Sequence, residues 1–139
     1  MRKGFSLIEI MIVIIILGLL AGLVLPKLMG QADKAKKKIV CIQMNALKDA
    51  LKNFKLDNGA YPTTEQGLNA LVSNPDESRY KSYPSGGYLD GKTPVDPWKN
   101  PYIYIYDSGN IDFISLGADG AEGGDSESAD IRFTSECQR

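Results

Sequence analysis

The sequence predicts an α+β fold in which a long N-terminal helix packs on a small antiparallel β-sheet and an acidic loop follows near the C-terminus. Three observations predict it. An apolar run of 21 residues, Phe5–Leu25, opens the chain. An apolar stripe with helical spacing continues to about Asp57. Two β-prone runs then flank a turn sequence that follows Tyr106.

Composition narrows the range of functions. The 139 residues suffice for one small domain and an accessory segment, and 16 basic residues nearly balance 17 acidic ones. The lack of histidine excludes Ser-His-Asp catalysis, Cys-His catalysis and His-ligated metal sites. Cys41 and Cys137 are too far apart for a CxxC motif. We therefore predict that the protein is not an enzyme, and we expect no nucleic-acid partner.

The apolar run Phe5–Leu25 is long enough to cross a membrane. A helix of this length spans about 30 Å, the thickness of the hydrocarbon core of a bilayer. Arg2 and Lys3 precede the run, so the positive-inside rule keeps the N-terminus in the cytoplasm and places the following domain outside. A cleaved secretory signal is the alternative, but such signals have shorter apolar regions and a small-x-small cleavage site. We expect the segment to stay on the protein.

Glu9 is the one charged residue of this run. A carboxylate inside a membrane helix costs about 3 kcal/mol on insertion scales, and the run contains no Lys or Arg that could pair with it. If the chain were cut after Gly4, Phe5 would carry a free α-ammonium at the same depth. The ammonium of one subunit could then neutralise Glu9 of its neighbour, and lateral assembly would relieve the cost. A protonated or snorkelling Glu9 is the alternative.

The segment KGFSLIE, Lys3–Glu9, resembles the class III signal of type IV pilins and pseudopilins, which a hydrophobic run follows directly. In that family a prepilin peptidase cuts between the Gly and the Phe and N-methylates the new terminus. The resemblance implies that residues 1–4 are a leader peptide, that cleavage lies between Gly4 and Phe5, and that Glu9 is the assembly glutamate. It also implies a type IV pilin-like fold.

Three residues weaken the far half of the apolar run. Gly18 and Gly22 each destabilise a helix by about 1 kcal/mol relative to Ala, and Pro26 removes a backbone hydrogen bond. The two glycines also form a small-xxx-small pair that can seat a neighbouring helix. We expect a bendable packing segment here.

The helical pattern continues over residues 27–57. We expect its apolar stripe to pack on a sheet of the same domain, because about two heptads are too few for a coiled coil. The stripe comprises Val40, Met44, Leu47, Leu51 and Phe54. The basic cluster Lys34–Lys38 is either a solvated face or a contact for the acidic tail of another subunit.

The rest of the domain mixes loops and strands. Asn58–Gly59 predicts the helix end, and residues 58–101 predict a loop region. We expect one short helix there, with Thr63 and Gln66 at capping-box spacing and a buried side made by Leu68, Leu71 and Val72. Residues 102–116 predict a β-hairpin, and a third strand is expected either near Tyr88 or from Arg132 to Thr134.

Three further blocks resemble the major pseudopilins of type II secretion systems: YPTTEQGL (Tyr61–Leu68), DPWKNPY (Asp96–Tyr102) and SLGADG (Ser115–Gly120). The resemblance, which now covers nearly the whole chain, implies a structural subunit that polymerises into a periplasmic pseudopilus and drives export of folded proteins across the outer membrane. It implies one pass through the bacterial inner membrane by residues 5–26 and a periplasmic domain of residues 27–139. The implied partners are further copies of the chain, minor pseudopilins, the inner-membrane assembly platform, prepilin peptidase and membrane lipid.

The loop of residues 119–130 holds five carboxylates, three glycines and no basic residue. Such a stretch is either solvated and disordered or held by a hard cation, because only oxygen ligands are available. Calcium tolerates irregular shells of six to eight oxygens. The loop is not an EF-hand, since Ala121 and Gly123 stand where that motif needs side-chain ligands.

Major pseudopilins carry a structural Ca²⁺ in this loop, here residues 116–131. The resemblance implies side-chain ligation by the first and last acids and carbonyl ligation by two other residues. Ala129 stands where the family has another acid, and we take Asp125 as its substitute, with Glu127 as second choice. The expected ligands are Leu116, Asp119, Ala121, Asp125 and Asp130.

Cys41 and Cys137 depart from the family pattern. In an oxidising compartment they can form a disulfide, and closing a loop of nearly a hundred residues stabilises a fold by up to about 4.7 kcal/mol. Two thiols that never meet are the alternative. Two other functions also stay open: a type IV pilin of a surface filament, and a membrane-anchored calcium-dependent module in which Tyr side chains and Trp98 stack on sugars.

Overall fold

The structure is a computed structural model that describes residues 3–138. It comprises two units, one up to Ala35 and the other from Lys36 onward. The main elements are α1 (Leu7–Asn58), a 3₁₀ helix (Leu68–Leu71), β1 (Ile103–Asp107), β2 (Asn110–Ser115), β3 (Ile131–Arg132) and a π-helical turn (Phe133–Cys137). Two short 3₁₀ turns, Gly117–Asp119 and Ser126–Ser128, lie in the acidic loop.

Over residues 7–25 α1 is apolar except at Glu9 and is exposed on all sides. None of its most apolar stretch is buried, so by length and composition the helix can cross a membrane. The helix runs through Gly18, Gly22 and Pro26 without interruption. The weak points expected from the sequence therefore do not break the helix in the single chain.

In the second unit α1 buries the stripe expected from the sequence. All five of its side chains are 0% exposed: Val40, Met44, Leu47, Leu51 and Phe54. The helix ends at Asn58, as predicted. Gly59 follows with a φ of +85°, and its N–H donates to the carbonyl of Lys55 at 2.8 Å. A positive φ favours glycine at this position.

The sheet has three antiparallel strands in the order β1-β2-β3. The predicted hairpin is confirmed, with Tyr104 opposite Phe113 in the register. The third strand is Ile131–Arg132, which overlaps the second of the two expected positions, and residue 88 lies in irregular chain. The two residues that follow β3 enter the π-helical turn instead of extending the strand.

Aromatic rings fill the space between α1 and the sheet. Phe54, Phe113 and Phe133 are fully buried. The rings of Phe113 and Phe133 pack edge-to-face with centroids 5.5 Å apart, and Phe54 packs similarly on Tyr80 at 5.1 Å. Such ring pairs add about 0.5–1.5 kcal/mol each beyond the apolar area they bury.

Two buried tyrosines tie the sheet to neighbouring segments. The Tyr104 hydroxyl donates to the carbonyl of Pro62 at 2.9 Å, and the Tyr102 hydroxyl donates to Gln43 of α1. Burial raises the pKa of both Tyr102 and Tyr104, so both phenols stay neutral in the folded chain.

The short helix of the loop region differs from expectation. The capping box is present, since Thr63 N–H donates to Gln66 Oε1 at 3.0 Å and Gln66 N–H donates to Thr63 Oγ1 at 3.2 Å. It closes only a turn, however, because Gly67 has a φ of +61° and breaks the helical path. The 3₁₀ helix that follows buries Ala70 at 1% exposure, whereas Val72 is only half-buried.

A disulfide joins Cys41 of α1 to Cys137 of the π-helical turn, with an S–S distance of 1.95 Å and Cα atoms 5.2 Å apart. The two residues are separated by 96 positions in the sequence. The bond therefore links the segment after β3 to the helix that carries the core stripe.

We expect the C41S/C137S double variant to lose a large part of this cross-link's contribution, which the chain-entropy model puts at up to about 4.7 kcal/mol for a loop of this size. The measurement is urea unfolding of the full chain in detergent micelles, with and without a reductant. The reductant should destabilise the native chain and leave the double variant unchanged. Equal midpoints for native and double-variant chains would contradict the prediction.

We expect Phe54→Ala to lower the free energy of unfolding by about 3–5 kcal/mol, because a fully buried ring leaves a cavity. Leu56→Ala is the matched control, since Leu56 lies two positions away on α1 and is 81% exposed. That variant should change stability by less than about 0.5 kcal/mol. Equal effects of the two changes in urea unfolding would show that the stripe does not form the core.

Candidate functional site

The residues expected to be processed lie in exposed chain ahead of α1. Gly4, Phe5 and Ser6 have no regular structure, and the Phe5 side chain is 77% exposed. Peptidases cleave bonds in accessible chain outside helices and strands, and the Gly4–Phe5 bond lies in exposed chain without regular structure. The start of α1 at Leu7 places Phe5 two residues before the helix.

Glu9 lies in the first turn of α1. Its Oε2 accepts the N–H of Ser6 at 3.4 Å, a long hydrogen bond across three residues. A carboxylate in the first helical turn also interacts favourably with the positive end of the helix dipole. These contacts stabilise the charge only in part, because no cationic side chain of the described residues forms an ion pair with Glu9.

Exposed apolar side chains surround Glu9 along the helix. Leu7 is 81% exposed and Ile8 is 63% exposed, and the exposed apolar surface continues to Met29. A monomeric soluble protein rarely exposes a continuous apolar surface of this size. The surface therefore needs lipid or the helices of other subunits to cover it.

The acidic loop folds back on itself, so that its two ends meet. Gly117 has a φ of +68°, and a Cβ there would lie 2.7 Å from the carbonyl oxygen of Glu127 and 2.9 Å from that of Ala129. At Gly124 a Cβ would lie 2.3 Å from the carbonyl oxygen of Ser128. Only glycine permits these backbone approaches.

Two of the expected side-chain ligands hold the backbone of the loop. Oδ1 of Asp119 accepts the N–H of Ala121 at 3.1 Å, and Oδ2 of Asp130 accepts the N–H of Gly123 at 3.0 Å. The second oxygen of Asp130, Oδ1, is buried and has no hydrogen-bond partner. A buried carboxylate oxygen without a donor is costly, and a cation would satisfy it.

The remaining expected ligands contribute less to a preformed site. Leu116 is half-buried, and Ala121 and Asp125 are exposed. Within residues 3–138 no three acidic or cysteine side chains are gathered as they would be around a metal ion. The expected ligands offer only oxygen atoms, which is the donor type that a hard cation prefers. The side chains of Asp119, Asp125 and Asp130, however, do not lie close enough together to form one cluster.

A turn outside the loop holds the loop's start, and sequence reasoning did not assign it this role. Asp96 is 2% exposed and accepts the Ser115 hydroxyl at 2.7 Å. The Asn100 side chain donates from Nδ2 to the carbonyl of Gly117 at 2.9 Å. An Asp followed by Pro is a known turn signal, so the sequence indicates the turn itself. It gives no indication that the turn contacts the start of the acidic loop.

Two family models match the chain. Residues 27–134 match the family model described as "Type II secretion system (T2SS), protein G", and residues 1–25 match the "Prokaryotic N-terminal methylation motif". The two matches meet at the end of the apolar run.

Relatives in other bacteria carry the same family name. The chain is 48% identical over 135 residues to the type II secretion system core protein G of Vibrio cholerae, covering 94% of this chain and 92% of that protein. It is 50% identical over 133 residues to the core protein G of Pseudomonas aeruginosa, covering 94% and 93%. These names favour secretion over the surface-filament and sugar-binding alternatives.

A solved structure agrees in fold. The crystal structure of the major pseudopilin from the type 2 secretion system of enterohaemorrhagic Escherichia coli superposes with a TM-score of 0.65 at 38% identity, covering 77% of this chain and 93% of that one. The long helix and the small antiparallel sheet are common to both. The chain therefore belongs to the protein G family of type II secretion systems, the major pseudopilins, and is a pseudopilus subunit.

Proposed function

We propose that the chain becomes competent to polymerise when prepilin peptidase removes residues 1–4 and N-methylates Phe5. The exposed Gly4–Phe5 bond ahead of α1 and the match to the N-terminal methylation motif support this step. Before export into the fibre, residues 5–26 anchor the chain in the inner membrane by a single pass. The unit from Lys36 onward then lies in the periplasm, on the side opposite the basic N-terminus.

The observation that carries the proposal is a carboxylate, Glu9, in the first turn of a helix that is apolar and exposed on every side. Cleavage creates an α-ammonium at Phe5, and methylation keeps its charge. In the fibre the ammonium of one subunit neutralises Glu9 of the next. Packing of the exposed helices against one another removes their apolar surface from solvent and lipid at the same time.

Growth of the fibre drives folded proteins across the outer membrane. Copies of this chain form the body of the pseudopilus, and minor pseudopilins and the inner-membrane assembly platform are its further partners. A subunit that leaves the bilayer must exchange lipid contacts for helix contacts, so its addition is less favourable when Glu9 has no ammonium partner. The charge pair therefore favours the one axial position of the incoming subunit in which Glu9 and the neighbouring ammonium meet.

We also propose that the acidic loop binds a structural Ca²⁺ ion. Asp119 and Asp130 would supply carboxylate oxygens, the carbonyls of Leu116 and Ala121 would supply two more, and Asp125 would complete the side-chain set. The buried, unpartnered Oδ1 of Asp130 supports this assignment. Calcium would neutralise the repelling carboxylates and hold the loop in one conformation for packing between subunits.

We expect Glu9→Gln to leave insertion of the chain intact and to reduce fibre formation by at least about tenfold, because a charge-assisted contact of roughly 1.5–3 kcal/mol is lost at every subunit. The measurement compares membrane levels of the full chain by immunoblot with fibre counts by electron microscopy, in cells that produce the whole secretion system.

Two controls accompany this test. Glu122→Gln removes the same charge in the acidic loop and should leave fibres at native levels. Glu9→Asp keeps the charge on a shorter side chain and should restore part of the assembly. Native fibre counts from Glu9→Gln would contradict the charge-pairing mechanism.

We expect calcium to stabilise the native chain, by about 2.7 kcal/mol at a free concentration one hundred times Kd, since a ligand that binds only the folded state adds RT ln(1 + [L]/Kd). Asp119→Ala should abolish most of this gain. The measurement is the melting temperature of the full chain in detergent micelles across a calcium series after chelation.

Glu122→Ala is the matched control, because it removes a neighbouring carboxylate that is not an expected ligand. It should keep the calcium-dependent rise in melting temperature. A native chain whose melting temperature is independent of calcium would contradict the proposed site. If both variants lost the calcium-dependent rise equally, calcium would act by general neutralisation of the acidic charge and not at a specific site.

A further inference from the structure

Asp96 is a carboxylate buried in the second unit without a cationic partner among the described residues. Only 2% of its surface is exposed. Oδ1 accepts the backbone N–H groups of Trp98 at 3.0 Å and Asn100 at 2.8 Å, and Oδ2 accepts the hydroxyl of Ser115 at 2.7 Å. Burying a charge is expensive unless hydrogen bonds satisfy it. All three donors of this carboxylate lie either in its own turn or at the end of β2.

The backbone of this turn, residues 96–100, is closed on itself. The N–H of Asp96 donates to the carbonyl of Asn100 at 2.9 Å, and the N–H of Lys99 donates to the carbonyl of Asp96 at 2.9 Å. Lys99 has a φ of +71°, an uncommon conformation for a residue other than glycine. Hydrogen bonds within the turn therefore fix its backbone and with it the positions from which its side chains extend.

The side chain of Asn100 links this turn to the start of the acidic loop. Its Nδ2 donates to the carbonyl of Gly117 at 2.9 Å. A Cβ on Gly120 would lie 3.3 Å from Oδ1 of Asn100, so the same side chain fits against the other end of the Gly117–Asp119 turn. Asp96 and Asn100 thus hold Ser115 and Gly117, the residues on either side of Leu116.

We propose that Asp96 and Asn100 are positioning residues that fix the start of the acidic loop in the conformation that receives a divalent cation. The inference rests on the calcium site proposed above. The Ser115 hydroxyl and the Gly117 carbonyl are hydrogen-bonded to the turn. The calcium ligands at this end of the loop are therefore the carbonyl of Leu116 and the carboxylate of Asp119. Partners that orient ligands in this way contribute roughly 10- to 100-fold to metal affinity in other sites.

The test is calcium titration of the full chain in detergent micelles, with Kd from calorimetry and the melting temperature of the cation-free protein as a second readout. Trp98 is the single tryptophan and belongs to the turn, so its fluorescence reports on the same region. Asn100→Ala removes the bond to Gly117 and keeps the backbone N–H that donates to Asp96. We expect it to weaken calcium binding by about 10- to 100-fold while the cation-free melting temperature changes little.

Asn53→Ala is the control, because Asn53 is an exposed residue of α1 and should bind calcium as the native chain does. Asn100→Ser, whose hydroxyl is too short to reach Gly117, serves as a second variant if Asn100→Ala folds poorly. It should weaken binding in the same way.

The outcomes separate the two proposals. A native chain that takes up no calcium overturns the cation site and this inference with it. Native binding with an unchanged Kd in Asn100→Ala overturns the inference alone. Loss of folded protein in both Asn100 variants, or a fall in cation-free melting temperature with an unchanged Kd, assigns the turn a purely structural role and also overturns it.

Discussion

Residues Leu7–Leu25 form a helical surface that is apolar on every side and is not covered by the unit to which it belongs. Water is a poor environment for such a surface, so the chain is stable only where lipid or similar helices surround it. A single carboxylate, Glu9, is placed within this surface. Such a surface suits a membrane anchor. In the assembly mechanism we propose, a neighbouring helix would cover part of this surface and bring the positive charge that pairs with Glu9.

The second unit solves its packing problem within the chain. The same helix, α1, presents there a stripe of five buried side chains, and the three-stranded sheet covers it. The acidic loop, residues 119–130, has only two apolar residues, Ala121 and Ala129, and neither is buried. It is ordered instead by glycines that allow close backbone approach and by the turn around Asp96. The conformation of the loop therefore depends mainly on polar contacts.

Much of the fold follows from periodicity that a sequence displays directly. The stripe from Val40 to Phe54, the helix end at Gly59 and the hairpin are confirmed because each rests on a local pattern. The third strand was placed less well, since a strand of two residues leaves almost no pattern. The short helix expected after Thr63 is a capped turn followed by a 3₁₀ helix that buries Leu68 and Leu71, because Gly67 adopts a positive φ that composition does not reveal. Contacts between distant segments, such as Asn100 with Gly117, have no local signature at all.

The cross-link between α1 and the π-helical turn sets an order of events during biogenesis. Cys41 is synthesised well before Cys137, because 96 positions separate the two residues in the sequence. The bond needs an oxidising environment, and its geometry requires the segment after β3 to lie beside α1. The bond joins residues near the two ends of the second unit, so it can form only after nearly all of that unit has been synthesised.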